Sequence, residues 1–139
     1  MEIDVKGALE YEPPVEMIKR YWGASPHTGS MAIMSSRAAH VLFKELLKFL
    51  VLTKVLQSRA GKRCAPPTAL DRMWHHFLVD DTEVYMTYCE RHLGSFVHHR
   101  SGGNLISWSD LLPIADELGI ELNKHIWTFP NTGGGFDCG

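Results

Sequence analysis

The chain has 139 residues, of which 45% are hydrophobic and 22% charged, and its net charge is −2. That balance suits one folded domain that buries an apolar core without needing disulfides or metals; it excludes a disordered chain and any overall attraction to nucleic acid or an anionic membrane. Three cysteines, an odd number with no C-x-x-C pair, argue against a disulfide framework. Together with an opening (Glu2, Ile3, Asp4) that has no secretory pattern, they point to the cytoplasm.

Residues 1–12 alternate weakly at Ile3 and Val5, the pattern of an edge strand or an ordered arm. Pro13 and Pro14 end that segment, and Pro14 suits the first turn of a short helix reaching about Trp22. A loop rich in Gly, Ser and Pro follows. From Ser35 to Ser58 there is neither Gly nor Pro, and Leu42, Leu46, Phe49, Leu50 and Thr53 recur at helical spacing. The spacing predicts a long helix with a core-facing stripe, stopped by Gly61. Its other side carries Arg37, Lys44, Lys48 and Arg59, with Val41, Val51 and Val55 among or beside them. Lys44, Glu45, Lys48 and Lys54 interrupt the apolar run and rule out a membrane span.

After Pro66 and Pro67, a helix from Thr68 to about Val79 and a second from Thr82 to His92 are predicted, joined by a turn at Asp80 and Asp81 and stopped by Gly94. A further helix begins at Ser107 or Ser109 and ends at Gly119, with Leu111, Leu112, Ala115 and Leu118 as its buried face. Residues 120–122 and 126–129 read as short extended pieces, and 131–139 as a glycine-rich tail. The expected fold is therefore mainly α: one compact domain over 1–139 with a long central helix, a helical hairpin and a few short extended segments. Within it, 1–63 form a helical part containing the basic helix, and 67–139 the hairpin, the last helix and the tail.

Charge is unevenly spread. Residues 1–34 hold five acids and three bases; 35–63 hold one acid and seven bases; 64–139 hold ten acids and four bases. The middle block, with Arg37, Lys44, Lys48, Arg59, Lys62 and Arg63, predicts a polarised surface.

One stretch has chemical content: Asp71-x-x-Trp74-His75-His76, Thr82-x-x-Tyr85-x-x-x-Cys89, Gly94 and His98-His99. Asp71 and His75 are one helical turn apart, as are Tyr85 and Cys89. If the two helices pack antiparallel, His75 and Cys89 face each other, His98 or His99 arrives from the next segment, and Cys138 closes a fourth position. Imidazole and thiolate are ligands zinc prefers, and Asp71 supplies a carboxylate to orient one of them. The competing reading is a packed core, because Trp, Tyr and Cys at helical spacing most often serve packing alone.

Trp74-His75, Tyr85, Cys89, Gly94, His98-His99, Trp127 and the closing Asp137-Cys138-Gly139 resemble the glycine-rich-domain-containing-protein-like family over residues 67–139. The resemblance implies that these His and Cys residues belong together in space; it implies no reaction. Arg100-Ser101 stands where relatives tend to carry a proline after the His pair, and the glycine tail is short.

Three functions remain open on this sequence. The first is a non-enzymatic binding or regulatory protein docking on a protein or a protein–nucleic acid complex, such as a phage-type inhibitor of a larger host or defence complex, through Arg37, Lys44, Lys48, Arg59, Lys62, Arg63, Val41 and Val55. The second is a zinc-dependent hydrolase using the His/Cys cluster. The third binds nucleic acid directly through the basic helix.

Overall fold

A computed structural model describes residues 3–23, 35–98 and 105–128. The architecture is mainly helical: α1 (Val5–Glu10), α2 (Val15–Gly23), α3 (Ser36–Ala60), α4 (Thr68–Asp80), α5 (Thr82–Tyr88) and α6 (Leu112–Leu118). Two short strands, β1 (Arg63–Ala65) and β2 (Leu105–Ser107), pair in parallel with Cys64 opposite Ile106. Among the described residues no helix is long and apolar enough to cross a membrane.

The spine is α3, and its ends follow local chemistry. The Ser35 hydroxyl accepts from the Ala38 N–H at 3.1 Å, satisfying one of the amides that a helix start leaves free. Gly61, at φ +65°, takes the left-handed turn that closes the other end and donates its N–H to Gln57 O. At 25 residues the helix is about 37 Å long. Its burial is wider than one stripe: Phe43, Leu47, Val51 and Leu52 are buried along with Leu42, Leu46, Phe49 and Leu50. The cause is that α1, α2 and α4 pack on it from some directions while β1 and α6 pack from others.

The hairpin of α4 and α5 forms as its turn chemistry predicts. Asp81 caps α5 by accepting from the Val84 N–H at 3.2 Å. After Tyr88 the helix widens into a π turn over Cys89–Leu93, and Gly94 at φ +88° ends it. The hairpin meets α3 through an edge-to-face pair, Phe43 on Phe77 at 4.9 Å, and its own two helices meet through Phe77 on Tyr85 at 5.0 Å.

Three local expectations give way to tertiary context. Residues 5–10 form a helix instead of a strand or arm: Asp4 accepts from the Gly7 N–H at 3.1 Å, and Ala8 is buried with its carbonyl taking the Tyr88 hydroxyl at 2.9 Å. A 3-10 turn over Trp108–Leu111 precedes α6 and resets its phase, so Ile114 joins Leu111 and Ala115 inside while Leu112 faces out. Residues 124–127 form a turn where 126–129 were expected to be extended: Asn123 accepts from the N–H of His125 with its side chain and from those of Ile126 and Trp127 with its carbonyl. Phe129 lies outside the described residues.

Candidate functional site

The Trp, Tyr and Cys of the hairpin motif do meet in space, and they form a buried hydrogen-bonded core. Trp74, on the inner face of α4, donates its indole N–H to the Tyr85 hydroxyl at 2.8 Å, and that hydroxyl donates to Val97 O at 2.6 Å. One turn beyond Tyr85 lies Cys89, fully buried beside the same tyrosine and the Val97 backbone. The network fastens the segment after the π turn back onto the hairpin. Burial raises the Cys89 thiol and, more strongly, the Tyr85 phenol above their ordinary values, so both stay neutral. A thiol held neutral in an apolar interior is not a nucleophile.

The imidazoles of the motif stand elsewhere. His75 and His98 are exposed while Cys89 is inside, and Asp71 is buried. His76, the second of its doublet, has Nε2 at 2.9 Å from Met17 O and stacks near Tyr21, which ties α2 to α4. Among the described residues no three His, Cys, Asp or Glu side chains gather closely enough to hold a metal ion. His99 and Cys138 lie outside the described residues.

The basic helix spends most of its charge on the chain itself. Lys44 donates to Tyr11 O at 2.8 Å and Glu12 at 3.1 Å; Lys48 donates to Glu45 at 2.6 Å and Glu121 O at 2.5 Å. Arg59 forms a two-pronged pair with Glu117 at 2.9 and 2.6 Å, and Lys62 lies 4.0 Å from Asp110. Lys54 is buried and donates to the Ser95 hydroxyl. Val55 is 9% exposed and belongs to the core, so it is not available to a partner. What remains on the surface is the amino-terminal end of α3, where Arg37 is exposed and Val41 is 40% exposed, together with Arg63 at the start of β1. Neither arginine has an ion pair among the described residues.

Two features escaped the sequence reading. The first is Glu45, 5% exposed, the single acid of the basic block. Its Oε1 accepts from the Asn123 N–H and the Trp127 indole N–H, each at 3.0 Å, while Oε2 takes Lys48. A lone glutamate inside an otherwise basic and apolar run is the signal that marks such an anchor. The second is a small cleft of about 30 Å3. Helix α3 supplies Thr53 and Gln57 to it, β1 supplies Arg63 and Cys64, and Trp74 comes from α4. Phe96, Val97 and His98 complete the wall. Burial, with Asp110 adding to it, pushes the Cys64 thiol up to about 12. No local sequence pattern announces this cleft, because its walls come from four separate stretches.

Comparisons with models of protein families, with characterised proteins and with solved structures find no match to this chain.

Proposed function

We propose that this chain is a cytoplasmic binding or regulatory protein that docks on a protein component of a larger complex, in the manner of a phage-type inhibitor. The observation that carries the reading is the amino-terminal end of α3: an exposed arginine, Arg37, one turn before a partly exposed valine, Val41, on a helix whose middle, from Leu42 to Leu56, is packed into the core. An arginine that has no ion pair among the described residues and sits next to apolar surface is the kind of residue that anchors protein interfaces, since its fork pairs with a carboxylate while its stem packs. A helix already fixed by the core adds little ordering cost on binding. The buried thiols and the internally paired lysines support a scaffold role for the residues around it. Under this reading the docking surface is narrower than the whole basic block and centres on Arg37 and Val41.

The test is affinity capture from the native host with the unaltered chain and with Arg37→Glu combined with Val41→Asp. A specific protein recovered by the first and lost by the second, with unchanged melting of the variant, is the expected result. Retention of the same partner by the variant refutes the assignment of this surface.

A further inference from the structure

We infer that the amino-terminal end of α3 receives an extended acidic segment of the partner protein, and that this chain's own Glu12 occupies part of the same row as a built-in competitor. The inference rests on the docking reading and gives the chemistry of what docks. Arg37, His40, Val41 and Lys44 stand at i, i+3, i+4 and i+7, so they share one face of the helix. No acid lies between Arg37 and Lys44 in the chain. Two members of the row already hold an acidic segment. His40 Nε2 lies 2.8 Å from Glu12 Oε1, and Lys44 donates to Glu12 Oε2 at 3.1 Å and to Tyr11 O at 2.8 Å. Tyr11 is extended, at φ −58° and ψ 134°, and Glu12 follows it outside any helix. The far end of the row, Arg37 with Val41 beside it, is exposed, and Arg37 has no ion pair among the described residues.

The filled half of the row shows what the open half takes. An extended chain passing over α3 offers a carboxylate and a backbone carbonyl, and the helix supplies donors to both. His40 and then Lys44 hold the Glu12 carboxyl below its ordinary value, so it is ionised at neutral pH and repels a second carboxylate arriving on the row. Lys44 lies seven residues after Arg37, about 10 Å along the helix, a span that about three residues of extended chain cover. A single small anion reaches one end of the row only, whereas a segment with acids about three residues apart reaches both. Val41, 40% exposed, adds apolar surface between them, which favours a peptide with apolar side chains among its acids over a sugar–phosphate backbone. The Glu12 side chain is 67% exposed, so its release into water costs little and a longer acidic segment displaces it.

Backbone-amide NMR titration of the full chain at constant ionic strength tests the inference. The probes are a short peptide of glutamates interspersed with leucines, the same peptide with glutamines in place of glutamates, and a short single-stranded DNA. Saturable shifts at Arg37, His40, Val41 and Lys44 with the glutamate peptide are expected. Arg37→Ala, at an exposed position, weakens its binding about fivefold, the effect of an exposed two-pronged ion pair. Glu12→Gln, which removes the competitor's charge, tightens it about threefold. No binding of the glutamate peptide, equal binding of the glutamine peptide, or stronger shifts with the DNA overturns the inference. An unchanged affinity in Arg37→Ala, or no gain in Glu12→Gln, overturns it as well. Such a failure is distinct from failure of the docking reading, which affinity capture through Arg37 and Val41 tests with any partner, acidic or not.

Discussion

Removing the Glu45 carboxylate should loosen residues 121–128. In Glu45→Ala the Trp127 indole N–H and the Asn123 N–H lose their acceptor, and Lys48 keeps Glu121 O among the described residues. Hydrogen bonds to a charged group contribute about 1.5–3 kcal/mol each, but the three share one carboxylate and do not add. Breaking a buried pair of this kind costs about 3–5 kcal/mol, which at roughly 3 °C per kcal/mol for a chain of this length lowers Tm by about 10–15 °C. Glu45→Gln keeps one carbonyl oxygen for Trp127 and Asn123 and forfeits the charge toward Lys48, so its cost is about 1–2 kcal/mol. Urea denaturation measures the stability, and a red shift of tryptophan emission reports the release of Trp127, which is buried against Trp108 at 5.5 Å. If Glu45→Ala melts within about 1 °C of the unaltered chain, or if Glu45→Gln is the worse variant, the anchor role is wrong.

Further outcomes follow from the same geometry. Gly7→Ala destabilises even though alanine favours helices, because its Cβ lands 2.0 Å from Asp4 Oδ2 and 2.9 Å from His92 Nδ1; the loss is about 1 kcal/mol, that of a helix cap, and urea curves show it shrinking when Asp4→Ala is already present. Tyr85→Phe strands both the Trp74 indole and the Val97 carbonyl in the interior and costs about 2–3 kcal/mol in the same assay. On the acid side, Gly7 and then His92 hold Asp4 low, and Arg20 does the same for Asp80, so their stabilisation is complete above the unfolded value of 3.8 and lost as pH falls through the lower folded values. On the alkaline side, the Cys64 thiol ionises near 9.0 unfolded and about 12 folded, so stability declines as pH rises across that window. Melting temperatures from pH 2 to 12 check both limbs, and Cys64→Ala flattens part of the second. Val41→Asp leaves Tm within about 2 °C, whereas Val55→Asp, buried on the same helix, abolishes cooperative melting.

The helices were legible wherever local chemistry sets them. Ser35 and Gly61 bracket α3, Asp80 and Asp81 mark the turn before α5, and Gly94 and Gly119 end their helices in left-handed turns. Such signals act over three or four residues, and the sequence displays them directly. The motif residues were legible as a set but not as a chemistry. Helical spacing put His75 opposite Cys89 across the hairpin; in the fold it is Trp74, the adjoining residue on α4, that meets Tyr85, and His75 is exposed.

By itself, the amino-acid order determined a helical domain with a long central rod, its stops, and a hairpin behind a double proline. Only the tertiary packing decided that the rod would be buried nearly all round and that its lysines would be taken up by Tyr11, Glu12, Glu121 and neighbouring groups from distant stretches. It also decided that residues 5–10 would coil against Tyr88. The physical reason is range. Caps and turns depend on atoms a few bonds away, whereas the partner of a charge, or the wall of a cleft, is whichever segment the folded chain brings alongside.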